Sequence, residues 1–580
     1  MTLITPTGRA ARPTDRTGGV LADLCILIVA AALLWGLVQM GQRASAPASM
    51  AAAQGTLDTN PWLLPGYTGQ SLVRMFAALA ASVVFTFVYA TAAARSRRLG
   101  AVLIPLLDVL QSVPVLGFLS VTVTFWIALF PGSRMGLECA SVFAIFTSQA
   151  WNMTFALHDS MIAQKQDLVE SARLLRLTRW QRFWTLDLPG GMIPLTWNAM
   201  MSFGGGWFFL TASEAISVNG HSYVLPGIGS YVAAASQQRQ LGRLCLAIAV
   251  MLVTVWLLNA VVWSPLLTWA QKFRLGDTGS SENSRSVVLD LLRRSHLAAL
   301  ATALGRSLSE VFDTLTRPFG AGTGWPAAAR PRRRVGDIVC AAAIAVPCVW
   351  GALAMVGTVQ AGPGLGEFGR AFALGLATLG RVVAVIVLGT LIWVPVGAVI
   401  GMNTRLRTIA QPIVQMLASF PANFLFPFVT LLLVRHHWSL NWGGIVLMAL
   451  GSQWYILFNV IAAASAMPAD LREAATSLGL PRALRWRTLI LPAIFPAWVT
   501  GALTAAGGAW NASIVAEVVS YGDTTLRATG LGAYVADATA AGDFPRVLVG
   551  VLVMCVYVVG LNRLVWRPLG ALANRRFSIA

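Results

Sequence analysis

Charged side chains are scarce in this sequence. Only 11% of its 580 residues are Asp, Glu, Lys or Arg, whereas 56% are hydrophobic. Soluble domains carry roughly 25% charged residues, so the composition excludes an ordinary soluble protein. Lysine is almost missing, because only Lys165 and Lys272 occur. Neither has glycines at the spacing of G-x-x-x-x-G-K-[ST], the loop that binds ATP phosphates. We therefore expect no ATPase site in this chain.

Metal-binding and catalytic patterns are missing as well. The six cysteines lie in or beside apolar stretches, with no C-x-x-C pair and no histidine at ligand spacing, which favours small buried side chains over ligands. The acidic residues are too scattered for a carboxylate pair, and His436 and His437 are expected to be solvated in an outer loop. The sequence thus predicts no enzyme activity, no metal and no cofactor.

The net charge of +19 comes from 42 Lys and Arg against 23 Asp and Glu. In a soluble protein such an excess would suggest nucleic-acid binding. Here the basic residues lie mostly in short loops beside apolar runs, which is the pattern that orients membrane proteins. With a mean hydropathy of +0.68, the chain is predicted to be an all-α polytopic membrane protein that does not bind nucleic acid.

The apolar part of the sequence is duplicated. Glu170 and Pro189 recur as Glu473 and Pro492, both 303 residues later (473 − 170 and 492 − 189). The same register links Trp207 with Trp510 and other downstream pairs. Such matches in one constant register indicate an internal repeat, which decides the architecture before any local feature does.

Each repeat is predicted to cross the membrane six times, giving about twelve helices. Runs near the roughly 20 residues needed for a span lie at about 21–40, 73–93, 112–130, 137–157, 192–212 and 244–269, and again near 338–357, 378–400, 418–434, 443–465, 494–515 and 547–565. An even number of spans makes the two copies parallel repeats. Arginine-rich loops place both termini in the cytoplasm.

The predicted domains follow from this pattern. A cytoplasmic tail (1–20) precedes the first repeat (21–274), and a cytoplasmic linker (275–335) leads to the second repeat (336–580). Apolar residues in the linker recur at roughly helical spacing among arginines, which predicts an amphipathic helix lying on the inner leaflet.

A cytoplasmic segment beginning with glutamate occurs at the same place in each copy. In the second copy Glu473, Ala474 and Ala475 are followed by Gly479 and, after a basic stretch, by Pro492. The small alanines allow a partner backbone to approach, and the glycine ends a short helix. An ordinary amphipathic connector would explain one such segment, but two copies in register favour a docking element.

These segments resemble the Glu-Ala-Ala loops of permease subunits of bacterial ABC importers. The second matches closely and departs only in Leu489, where isoleucine is usual. The first retains Glu170, Ala172 and Pro189, but Ser171 replaces the first alanine and Arg176 replaces the glycine. Ser-Leu-x-Arg, Ser-x-Pro and Ala-Glu…Leu-Gly patterns are similar to the nitrate, sulfonate and taurine branch, and the whole chain to its fused, duplicated permeases.

The resemblance implies a MetI-like, type I importer topology in the bacterial inner membrane. It implies a permease for a small anion such as nitrate, sulfonate or bicarbonate, two ATPase subunits on the cytoplasmic face and a periplasmic binding protein. It assigns coupling to the ATPases to the following residues: Glu170, Ala172, Arg176, Pro189, Glu473, Ala474, Ala475, Gly479 and Pro492.

Polar residues within spans are candidates for a translocation path, namely Asn198, Ser202, Thr211, Thr504, Asn511 and Ser513. Hydrogen bonding between glycine-rich helices explains them equally well. Arg74 and Arg381, near the outer ends of matching helices, could attract an anion, although extension to the membrane interface is favoured. Glu214 and Glu517 are expected to have a structural or gating role.

Two other functions remain open at this point. An ion-gradient-driven secondary transporter also suits two parallel six-helix halves, but it would need buried charged relays and no Glu-Ala-Ala loops. A membrane scaffold or sensor would not need these loops either.

Overall fold

The computed structural model describes residues 57–273 and 349–577, except 118, 132, 219, 220 and 352, and a few isolated positions between these ranges. The tail, the span predicted at 21–40 and the linker helix lie outside the described residues, as does most of the span at 338–357. Structural statements below concern the described residues.

Within residues 57–273 the first half contains ten α-helices and one β-hairpin. In chain order these are α1 (Leu64–Arg95), α2 (Arg97–Ser112), α3 (Leu119–Leu129), α4 (Met135–Ile162), α5 (Gln166–Leu174), α6 (Arg179–Arg182), α7 (Leu188–Glu214), β1 (Ala215–Val218), β2 (His221–Val224), α8 (Ile228–Gln237), α9 (Leu241–Leu258) and α10 (Ser264–Ala270). The strands are antiparallel, with Ala215 opposite Val224.

Among the described residues the second half repeats this order, except that two helices take the place of α4. Its elements are α11 (Gly366–Met402), α12 (Thr404–Ser419), α13 (Phe426–Arg435), α14 (Leu440–Ser452), α15 (Trp454–Ala466), α16 (Ala469–Ser477), α17 (Arg482–Arg485), α18 (Leu491–Ala516), β3 (Val518–Tyr521), β4 (Thr524–Arg527), α19 (Leu531–Ala541), α20 (Phe544–Leu561) and α21 (Arg567–Arg576). Here Val518 is opposite Arg527.

Local features are duplicated along with the elements. Helices α2 and α12 both have 16 residues and an internal proline, and each begins at a polar cap, Ser96 or Asn403, whose side chain accepts a backbone N–H bond. A π-helical turn precedes α7 and α18 at Phe183–Asp187 and Trp486–Ile490. The sequence repeat is therefore also a structural repeat, which at α2 and α12 extends to the helix cap.

Three expectations about the spans are corrected. The spans predicted at 112–130 and 418–434 are not continuous helices, because a proline in each Ser-x-Pro motif, Pro114 and Pro421, lies where the chain turns between two helices. The bend between Thr404–Ser419 and Ala422–Arg435 is 81°. The span predicted at 443–465 bends by 44° between α14 and α15. The two β-hairpins were not predicted at all.

Five helical stretches of the described chain are long and apolar enough to cross a membrane. They are Pro61–Arg95, Leu241–Phe273, Gly366–Met402, Arg482–Ala516 and Phe544–Arg576. Counting each bent pair of the second half as one span raises the number to seven. The all-α polytopic class is thus confirmed, and the total of about twelve spans stays a prediction.

Each half contributes residues to the hydrophobic core of the other. One core combines second-half helices with Val115, Leu119 and Val123 of the first half. The other combines first-half helices with Phe424 and Tyr521 of the second half. Because burying a large apolar side chain contributes about 1.5–3 kcal/mol, these exchanged residues hold the halves together.

Both hairpins lie at the same end of the molecule, which we call the hairpin face. The backbone N–H of Gly522, in the turn of the second hairpin, donates to the carbonyl of Ser236 in the first half at 3.1 Å. Arg239 pairs with Asp523 across the same contact at 3.0 Å. Helices α7 and α18 both end at the hairpins, so both begin at the opposite end, which we call the coupling face because the predicted coupling residues lie there.

Candidate coupling segments and translocation cavity

The two glutamate-led segments fold alike at the coupling face. Each consists of a nine-residue helix, α5 or α16, followed by a one-turn helix, a π-helical turn and the long helix α7 or α18. Pro189 and Pro492 are the second residues of those long helices and directly follow the π-helical turns. Only a turn of four residues separates each short helix from the helical stretch that contains α7 or α18.

A left-handed residue ends each short helix. Gly479 has a φ of 62°, and Arg176 adopts a φ of 49° at the equivalent position. The next N–H groups close the same bonds in both copies, from Leu177 to Ala172 O and from Leu480 to Ala475 O, each at 3.2 Å. These are the bonds of a Schellman cap, so the first segment keeps the geometry although it lacks the glycine.

Replacing the left-handed residue of each cap by its counterpart should stabilise the first segment and destabilise the second. A residue with a Cβ in the left-handed region costs roughly 1–2 kcal/mol, partly offset by the extra chain entropy of glycine. We expect Arg176→Gly to slow amide hydrogen exchange in 165–180 up to about fivefold and Gly479→Arg to accelerate it in 468–483 by a similar factor. Exchange measured by mass spectrometry checks this; equal rates in wild type and Arg176→Gly would contradict it.

The predicted coupling residues divide into buried and exposed positions. Ala172 and Ala475 are buried, at 2% and 3% exposure, and hold the short helices to the body. Glu170, Glu473 and Ala474 are exposed, as are Arg176 and Gly479. Three leucines of the segments are also strongly exposed: Leu174 (84%), Leu175 (72%) and Leu478 (74%). Exposed leucines beside small residues at one face are typical of a surface covered by a partner.

The segments are attached to their halves by different chemistry. In the first half the buried carboxylate of Asp187 accepts bonds from Arg95 at 2.6 Å and from Arg182 at 3.2 Å. The equivalent of Asp187 is Ile490, which is buried among apolar side chains. At this position the first segment is therefore held by ion pairs and the second by hydrophobic contact.

Near the hairpin face the first half contains a buried ionic network. Arg74 binds both oxygens of Glu138, at 2.6 and 2.7 Å, and donates to Glu214 at 2.8 Å. Glu214 also accepts from the hydroxyl of Ser71 at 2.6 Å and from the N–H of Gly229 at 2.7 Å. The network joins α1, α4 and α7 to the start of α8.

The second half repeats this network with two substitutions. Arg381 donates to Glu517 at 2.7 Å, and Thr378 takes the place of Ser71. Asn441, at the position of Glu138, accepts from Arg381 through its side chain at 2.6 Å and through its carbonyl at 3.0 Å. The first network therefore holds two carboxylates for one guanidinium, the second only one.

The expectation that the two arginines extend to the membrane interface was wrong. Arg74 and Arg381 are only 1% and 6% exposed, because the carboxylates of Glu214 and Glu517 draw them inward. Burial of a charge requires such a paired and hydrogen-bonded partner. The structural role expected for the two glutamates agrees with this arrangement.

A cavity of about 270 Å³ lies between the halves. Each half contributes equivalent positions to its wall, such as Gly204 and Gly507, or Asn152 and Tyr455, so the cavity lies on the axis that relates the repeats. Polar groups of the wall bond one another: Gln111 donates to Asn152 at 3.2 Å.

The predicted path residues are placed in different surroundings. Thr504 and Asn511 line the cavity, and Ser202 accepts a bond from the cavity residue Asn152 at 3.2 Å. The others do not line it: Asn198 and Ser513 bond carbonyls of their own helices, and Thr211 accepts from Asn423 at 2.7 Å. For these three, hydrogen bonding within and between helices explains the polar side chain, and a role in the path stays a prediction.

A comparison with protein families connects this geometry to a known class. The model of the binding-protein-dependent transport system inner membrane component matches residues 82–264 and again residues 393–575. The two matches cover more than half of the chain. The chain belongs to this family. The resemblance drawn from the Glu-Ala-Ala segments is thereby confirmed, and so is the duplication.

Individual relatives come from anion transport systems. The chain is 25% identical over 186 residues to the taurine transport system permease protein TauC of Escherichia coli. It is 24% identical over 190 residues to the bicarbonate transport system permease protein CmpB of Synechococcus elongatus, and 26% over 199 residues to the nitrate import permease protein NrtB of Leptolyngbya laminosa. Each match covers 32–34% of this chain and 64–66% of the relative. The chain thus spans just under two thirds of the curated relatives' length.

Sequence reasoning found the residues of the ionic networks but not their contacts. Arg74, Glu214 and their repeats were noted separately because the repeat register displays them. Glu138 and Asn441 were missed, although the 303-residue offset (441 − 138) relates them too. Their pairing with arginine depends on how α1, α4 and α7 pack, which no local pattern encodes.

Proposed function

We propose that this chain is the permease subunit of an ATP-binding-cassette importer, containing both transmembrane halves in one polypeptide. The observation that carries the proposal is the pair of alike, exposed segments at one face, each continuous with a long helix, α7 or α18, that lines the cavity between the halves. A force applied to the segments would reach the cavity through these helices.

The partners follow from the same surface. Two ATPase subunits dock at 165–185 and 468–488. These segments face the cytoplasm because arginine-rich loops lie on the cytoplasmic side of a membrane protein. Their closing on ATP moves the segments, rotates the halves and changes the side to which the cavity opens. A periplasmic binding protein delivers the substrate at the hairpin face. By likeness to the taurine, bicarbonate and nitrate permeases, the substrate is a small anion, an argument by analogy.

Aspartate at the exposed leucines tests the docking. A buried leucine contributes about 1.5–3 kcal/mol, so Leu478→Asp should weaken copurification of the ATPase at least tenfold. Leu175→Asp should do the same at the other segment, and the double variant should abolish ATP-dependent uptake of labelled nitrate, bicarbonate and taurine. Glu473→Ala should lower uptake as well.

The matched control is Leu572→Asp, at a leucine of α21 that is 40% exposed but lies outside both segments. This variant should leave copurification and uptake near wild type. If no ATPase copurifies with the wild-type chain, and Glu473→Ala leaves uptake untouched, the importer proposal is wrong.

An ion-gradient-driven transporter is the second candidate, because the buried network of Arg74, Glu138 and Glu214 provides charged groups inside the chain. All four carboxylate oxygens of this network accept hydrogen bonds from the protein, which suits a fixed tie better than an ion relay. Uptake that stops with a protonophore but survives loss of the ATPase would favour this candidate.

A further inference from the structure

The wall of the central cavity is almost uncharged. Among the described residues that line it, Asp108 is the only charged one, and its carboxylate pairs with Arg567 at 2.8 Å. An anion that enters this cavity loses hydration without meeting a lysine or a free arginine of the wall. Because burial of an unpaired charge is costly, the cavity cannot rely on charge to hold its substrate.

Aromatic side chains and neutral hydrogen-bonding groups make up much of the wall instead. Trp151, Phe208, Phe209, Phe420 and Trp566 contribute rings, which favour contact with an apolar body. Neutral polar groups lie between them: the amides of Gln111, Asn152 and Asn511, and the hydroxyl of Tyr455. No described residue accepts a hydrogen bond from that hydroxyl, so it can donate to a substrate.

The size of the cavity also favours a substrate larger than an inorganic ion. About 270 Å³ greatly exceeds a single oxyanion of a few atoms, since one water molecule takes about 30 Å³ of liquid. A bare inorganic ion would leave most of the aromatic wall in contact with water. A larger organic solute would cover that wall, and each methylene group removed from water improves affinity about fourfold.

We infer that the central cavity takes an organic solute with an apolar carbon body and an oxygen-rich head, recognised by the aromatic wall and by neutral donors rather than by charge. This inference deepens the proposed function, on which it rests, because it selects among the anions transported by the relatives. Nitrate and bicarbonate have no apolar body to place against the rings, whereas a sulfonate with a carbon chain has one.

Binding of sulfonates with one head and different chains tests the inference. The full chain in lipid nanodiscs is titrated calorimetrically with methanesulfonate, 1-butanesulfonate and nitrate, without any ATPase. We expect 1-butanesulfonate to bind at least tenfold more tightly than methanesulfonate, and nitrate to bind more weakly than either.

Two glycines provide matched variants. Gly507 lines the cavity with no other atoms within 4 Å of where a Cβ would be, so Gly507→Leu should fill the space and lower the affinity for 1-butanesulfonate at least tenfold. Gly380 is exposed on α11 and equally free of neighbours, and Gly380→Leu should not change the affinity. Tyr455→Phe should weaken binding a few-fold by removing a donor.

Several results would overturn the inference: nitrate or methanesulfonate binding as tightly as 1-butanesulfonate, no detectable binding of any probe, or full affinity in Gly507→Leu. These outcomes concern the cavity alone. Failure of the importer proposal would show instead as absent ATPase copurification, which this titration does not involve.

Discussion

Arg74→Met should be among the most destabilising single substitutions in this chain. It would leave the carboxylates of Glu138 and Glu214 buried together without their guanidinium, and removing one partner of a buried ion pair costs about 3–5 kcal/mol. We expect a sharp fall in the midpoint of thermal unfolding of the purified protein, with loss of monodisperse material. Arg381→Met should cost less, because only Glu517 is left unpaired there.

The control for this prediction is Glu138→Asn. In the second half Asn441 occupies this position and accepts a hydrogen bond from Arg381. The substitution should therefore lower the free energy of unfolding by no more than about 1 kcal/mol, the value of an ordinary hydrogen bond. A midpoint for Arg74→Met equal to that of Glu138→Asn would show that the guanidinium is not what holds α1, α4 and α7 together at the hairpin face.

Gly530→Ala should have the second largest effect. A Cβ at this position would lie 2.2 Å from a carboxylate oxygen of Glu517, and that carboxylate is fixed by Thr378, Arg381 and the N–H of Ala533. The methyl group can be accommodated only if some of these bonds break. Hydrogen bonds to a charged group contribute about 1.5–3 kcal/mol each, so we expect a loss of about 2–4 kcal/mol.

The backbone conformation of Gly530 is extended, with φ of −175°, so strain does not contribute and the effect is steric. Gly560→Ala is the matched control, because no atom lies within 4 Å of its Cβ position, and alanine is the better helix former. Thermal unfolding in one detergent compares the variants. Equal midpoints for Gly530→Ala and Gly560→Ala would mean that the carboxylate moves freely.

The local form of the coupling segments could be predicted from sequence only in part. The second segment contains a glycine where a helix must end in the left-handed region, and the cap forms there as expected. The first segment has Arg176 at this position, and its sequence alone gives no reason for a left-handed residue. It adopts one because Ala172 is buried against the body and the chain must turn to reach α7.

The spans show a similar division. Hydropathy located the apolar segments because the bilayer requires long apolar runs, and five stretches of the described chain satisfy that requirement. Hydropathy could not locate the turns at Pro114 and Pro421, because the apolar run continues through each turn. A proline can interrupt a helix, but the 81° angle between Thr404–Ser419 and Ala422–Arg435 depends on packing against the other half.

By itself the sequence determined the class, the duplication and the family, because composition, apolar run length and a constant 303-residue register are properties of the chain as written. Only the tertiary structure decided which charges meet, which polar residues reach the central cavity and that its wall is nearly neutral. These depend on contacts between residues 64 to 459 positions apart, such as Arg74 with Glu138 and Asp108 with Arg567. Long-range contacts of this kind arise from how helices pack, and a single sequence records no distance between them.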